Sequence, residues 1–71
     1  MERFIIKQTK DSREYYFMKH YFISQREGRS PVCVSERRHA FRFTSREDAE
    51  NIAKEIENSE VICITKSKIP N

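Results

Sequence analysis

The sequence predicts a small α+β domain: a mostly antiparallel sheet with a single helix packed on one face. Three observations lead there. Phe41 and Phe43 alternate around Arg42, the period-two pattern of a half-buried strand. Directly after them, Ala49, Ile52, Ala53 and Ile56 recur at i, i+3, i+4 and i+7, one apolar stripe on a helix. Several short β-branched or aromatic runs separated by polar turns occupy the rest of the chain. Runs of strands with one helix are the pattern of an α+β layer architecture. The expected order is β-β-β-α-β, with one extra strand if the third segment divides.

In chain order, Arg3 to Gln8 reads as a first strand around Phe4-Ile5-Ile6. Thr9 to Arg13 is a polar turn in which Asp11 and Ser12 favour tight reversal. Tyr15 to Ile23 is the core of a second strand, apolar or aromatic on both parities, so both of its faces should be covered. A helical reading of this run is open, but its aromatic content and the preceding turn favour a strand. Gln25 to Pro31 reads as a loop holding the chain's only glycine, Gly28. Val32-Cys33-Val34 opens a third extended segment, which the polar run Ser35 to His39 interrupts as a bulge or turn before Phe41.

The helix is expected over about residues 45–57. Thr44 and Glu47 have capping-box spacing at its start, and Asn58 suits the left-handed cap at its end. Two of the four stripe residues are alanine, which allows close approach to a sheet. Val61 to Thr65 is the returning strand. The domain is expected over residues 1–66, with 67–71 as a loose C-terminal tail.

Seventy-one residues allow one domain with a marginal core, about 60% of the unfolded surface being buried at this size. Apolar residues make up 37% of the chain, too much periodic apolar content for a disordered segment. Residues 1–46 carry eleven Lys/Arg against five Asp/Glu, and residues 47–71 carry three against six. The strand-rich part is thus basic and the helix side acidic, a division that can steer an anionic partner to one face. No stretch approaches the ~18 apolar residues of a membrane span, and no signal-peptide pattern is visible. Cys33 and Cys63 read most simply as buried, reduced thiols in a cytoplasmic protein.

Catalytic chemistry has little to work with. His20 and His39 could pair as acid and base beside Lys19 or Arg38, but one lies in an aromatic strand and the other in a charged turn. The soft ligands Cys33, Cys63, His20 and His39 lack the paired spacing of structural zinc. A single glycine leaves no Gly-rich phosphate loop. The expectation is a protein that is not an enzyme and has no cofactor and no metal.

The basic residues carry the functional reading. Six of eight arginines fall between positions 26 and 46, and arginine suits bidentate recognition of carboxylate or phosphate. The candidate binding set is Arg26, Arg29, Arg37, Arg38 and Arg42 with Tyr15, Tyr21 and Lys19. With one helix, only one face of the sheet is covered. The other, drawing on Tyr15 or Tyr16, Tyr21, Lys7, Lys19 and Arg42, is left for solvent or a partner. Glu55 and Glu57 crowd the negative end of the helix, a mismatch that a partner's basic group could relieve.

Two resemblances bear on function. Ala40 to Glu50 resembles the strand-to-helix junction of RNA recognition motifs, an aromatic strand ending in Phe before a helix with Asp-Ala near its start. That resemblance implies base stacking, with Phe41 at the matching position. It covers about a sixth of the chain. Residues 9–31 offer no first helix of the β-α-β-β-α-β order, and Arg38-His39-Ala40 stands where the family has Lys/Arg-Gly-Phe. The wider pattern, Met1 to Lys7 and Phe43 to Ile64, is similar to small bacteriophage and prophage accessory proteins. It implies a binder of a host macromolecule that inhibits or modulates it. The expected partner is an acidic host protein or, alternatively, a single-stranded nucleic acid. A homodimer is also open, and no membrane is expected.

Overall fold

The computed structural model describes residues 2–65 and is a four-stranded antiparallel sheet with one α-helix. The elements are β1 (Glu2–Lys10), β2 (Arg13–Ser24), β3 (Gly28–Val34), a 3₁₀ turn (Arg37–His39), α1 (Arg46–Ala53) and β4 (Ser59–Thr65). The strands lie in the order β3-β2-β1-β4. The α+β class is the one the sequence predicts; the tail expected over 67–71 lies outside the described residues.

β1 and β2 are joined by a two-residue turn in which Asp11 and Ser12 both have positive φ, 54° and 67°. That is the backbone of a type I′ hairpin, whose twist matches the flanking strands. The β2–β3 turn is closed at Gly28, φ 83°. β3 therefore starts earlier than expected: Arg29, Ser30 and Pro31 are strand residues opposite Phe22, Tyr21 and His20, not loop. Pro31 is tolerated because β3 is an edge strand.

β1 and β2 pair directly only from Lys7–Lys10 to Arg13–Tyr16. Beyond that point the chain between the 3₁₀ turn and α1 enters the gap. Phe43 exchanges both backbone hydrogen bonds with Phe4, at 2.9 and 2.7 Å, and the Phe41 N–H donates to the Phe17 carbonyl at 2.9 Å. The extra strand left open by the sequence is thus a single bridge, wedged where two strands would have exposed unpaired groups. This segment and β4 both run antiparallel to β1, so with α1 they form a β-α-β unit that straddles β1.

Phe4, Ile6, Phe17, Phe43, Ala49 and Ile56 form the main core between sheet and helix. Phe17 stacks on Phe43, with ring centroids 5.9 Å apart. On the opposite face, Ile5, Tyr16 and Ala40 form a second buried cluster, flanked by Ile62 and Ile64. The helix-free face is therefore not bare at its centre, contrary to the one-sided expectation: the chain's own Ala40 packs there.

The helix is shorter than predicted, and its cap lies one residue further on. Phe43 is held in the sheet, so Thr44 is a link and Ser45 is the cap, accepting from the Asp48 N–H at 3.3 Å. At the other end, Glu55 and Ile56 donate to carbonyls three residues back, a tightening of the last turn. Asn58 takes the expected left-handed conformation at φ 55°. The Ser59 hydroxyl, within reach of the Ala53 and Ile56 carbonyls, closes the end.

Candidate functional site

β2 is covered on both faces only over its first half. Tyr16 and Phe17 are buried, one on each face. Pairing to β3 then shifts register with Met18 as the extra residue, and shifts again at Ile23. Such bulges bend a strand and re-aim the side chains beyond them. Past Met18, β2 and β3 continue as a two-stranded arm. Its Tyr21 and Phe22 are 62% and 66% exposed, and Ile23 is 43% exposed. The radius of gyration, 13.2 Å, exceeds the ~11 Å expected of a compact chain of this length, in keeping with a projection.

The arm is fastened to the body by one carboxylate. Glu55, just past α1, lies 2.9 Å from the Arg29 guanidinium and 3.0 Å from His20 Nε2. The two strands of the arm are thus tied to the same point. The Arg29 hydrogen bond is the main cause that holds the Glu55 carboxyl below the usual carboxylate range; partial burial opposes it and His20 adds to it. The crowding of Glu55 at the negative helix end is thereby relieved inside the chain, by Arg29 rather than by a partner.

The predicted binding residues are not gathered on one surface. Lys19 and Tyr21 share the helix-free side of the arm, and Arg26 sits in its turn. Arg29 is on the helix side, engaged by Glu55. Arg37 and Arg38 belong to the 3₁₀ turn, where Arg38 Nε donates to Glu36 at 2.9 Å. Arg42 is exposed in the wedged segment. Tyr15 is on the helix side, lining an open cleft of about 590 Å³ with Gln8, Pro31 and Cys33. Phe41 packs edge-on against Phe43, 4.7 Å between centroids, on that same side.

At the centre of the helix-free face the lysine is paired with acids. Lys7 stands 3.4 Å from both Glu14 and Glu60, and these carboxylates, Glu14 first, raise its pKa. Tyr16 donates its hydroxyl to Glu14 at 3.2 Å. By contrast, Lys19 and Arg26 have no acidic partner among the described residues. Phe22 and Ile23 were not among the predicted site residues, although their apolar run was visible.

For chemistry, the two histidines are engaged separately, His20 by Glu55 and His39 by Glu36 at 3.7 Å. Among the described residues no group of three or more His, Cys, Asp or Glu is placed to hold a metal ion. Both cysteines are free, but neither is fully buried as expected: Cys63 is exposed on the edge strand β4, and Cys33 on edge strand β3 is half-buried, which pushes its thiol pKa up. No helix among the described residues is long and apolar enough to cross a membrane. No protein-family model, curated protein or solved structure matches the chain.

Proposed function

We propose that this chain is a non-enzymatic binding module that engages an acidic protein surface through the β2–β3 arm. The observation that carries the reading is the exposure of Tyr21, Phe22 and Ile23 beside the unpartnered Lys19 and Arg26. Large aromatics exposed next to arginine have the composition of binding hot spots. A protein groove suits the arm better than a nucleic-acid strand does. Tyr21 and Phe22 are adjacent in an unshifted stretch of β2, so they point to opposite sides and cannot form one stacking platform. In this reading the protein is an accessory factor of phage or mobile-element type, and the partner is a host protein that it modulates.

The test places a photoreactive phenylalanine analogue at position 22 and irradiates host cells expressing the chain. We expect one dominant protein adduct with an acidic surface, reduced at least about tenfold by Lys19→Glu with Arg26→Glu. A parallel titration of labelled single-stranded oligonucleotide is expected to show no binding at low salt. Micromolar oligonucleotide binding that weakens at least about tenfold between ~50 and ~200 mM salt would replace this reading with the nucleic-acid one.

A further inference from the structure

The sheet has two edges, and among the described residues only one is defended. β3 carries Pro31, which has no N–H to offer, and two register shifts against β2. Both features blunt an edge. β4 has neither. It pairs with β1 through seven consecutive residues without a shift, and its one charged residue is Glu60. Its middle is Val61-Ile62-Cys63-Ile64, with Cys63 exposed and Ile62 and Ile64 only partly buried beside Ile5. A groove of about 520 Å³ between α1 and the start of β4 leaves the helix side of that edge open as well.

We propose that β4 is the pairing edge for a second copy of this chain, the two β4 strands running antiparallel about a two-fold axis at Cys63. An antiparallel pair of identical strands closes on itself, so one edge satisfies both copies and no further edge is created. Opposed residues share a face. To keep the helix-free apolar faces continuous, the axis must therefore pass through a residue rather than between two. An axis at Ile62 sets Glu60 against Ile64 of the second copy, a carboxylate against an aliphatic side chain. An axis at Cys63 sets Ile62 against Ile64 twice over. Apolar matching selects Cys63. The dimer uses the side of the sheet away from the arm and stands independently of the arm's partner.

Cysteines opposed across such a pair have Cα atoms about 4.5–5.5 Å apart, inside the ~4.4–6.8 Å range of a disulfide. The test treats the full chain with diamide, which takes up the two thiol hydrogens as the S–S bond forms. Bridges are located by non-reducing peptide mapping, and association is followed by sedimentation equilibrium. We expect a concentration-dependent dimer and a Cys63–Cys63 bridge. Its formation should be at least about tenfold faster than crosslinking of a Cys63→Ser, Glu47→Cys control, because pairing raises the local thiol concentration. Cys63→Lys, at an exposed position, should give a monomer with an unchanged far-UV circular dichroism spectrum. A chain that stays monomeric, a dimer that survives Cys63→Lys, or Cys63 crosslinking no faster than the control would overturn the proposal. Faster bridging in Cys63→Ser, Ile62→Cys would overturn the register.

Discussion

Tyr16-Phe17 and Tyr21-Phe22 are the same pair of residues on the same strand, yet the first is 8% and 4% exposed and the second 62% and 66%. Nothing in their immediate sequence separates them. Lengths explain the difference. An eight-residue helix spans about 12 Å, whereas the twelve residues of β2 extend about 40 Å. One short helix covers roughly a third of such a strand. The covered stretch around Tyr16 and Phe17 is core, and the end beyond Met18 is an arm held, among the described residues, by its own hairpin and the Glu55 clamp. An aromatic run therefore marks burial only as far as there is something to bury it against.

The strongest way to break the comparison is at its buried end. Phe17→Ala removes the ring that stacks on Phe43 and touches His20 and Phe41. The expected loss is about 3–5 kcal/mol, the range for buried Phe to Ala. That equals the roughly 3–5 kcal/mol a core of this size supplies, so urea titration should find the variant largely unfolded at 25 °C.

A smaller effect is expected at the clamp between the two regions. Glu55→Gln should leave the body intact while loosening the arm, with faster amide hydrogen exchange in Lys19–Ser24. The ion pairs are partly exposed, so the cost should be only a few tenths up to about 1 kcal/mol. The Glu55 carboxyl has its pKa depressed on folding, so its contribution is present above the ordinary carboxylate pKa. It is lost as pH falls through the lower folded value. Arm protection in the native chain should drop on acidification, and Glu55→Gln should flatten that dependence. An identical pH profile in the variant would show that another group fastens the arm.

The smallest change belongs to the exposed end. Phe22→Ser should alter stability by no more than about 0.5 kcal/mol in thermal melts, since it is a surface substitution away from the core. Its binding consequence should be disproportionately large. A stability loss comparable to that of Phe17→Ala would mean that the arm is part of the core after all.

Local chemistry made much of this molecule legible. The α+β class, the Asp11-Ser12 reversal, the strand nature of Tyr15 to Ile23, the apolar stripe of the helix and the left-handed Asn58 all follow from periodicity and turn preferences, which act within a few residues. Those same rules misplaced the cap by one, because Thr44 and Ser45 can both accept at a cap and Glu47 at capping-box spacing favoured Thr44. The choice fell to Ser45 once Phe43 was fixed to Phe4 across the sheet. They also grouped Arg26, Arg29, Arg37, Arg38 and Arg42 into one set, since clustering in sequence says nothing of side or partner. Tertiary structure decided those matters. It wedged Ala40–Phe43 between β1 and β2, gave the helix-free face its own small core, spent Arg29 on Glu55, and left Phe22 and Ile23 outside. Each of these depends on contacts between residues distant in sequence, and so on how far one short helix can reach along a longer sheet.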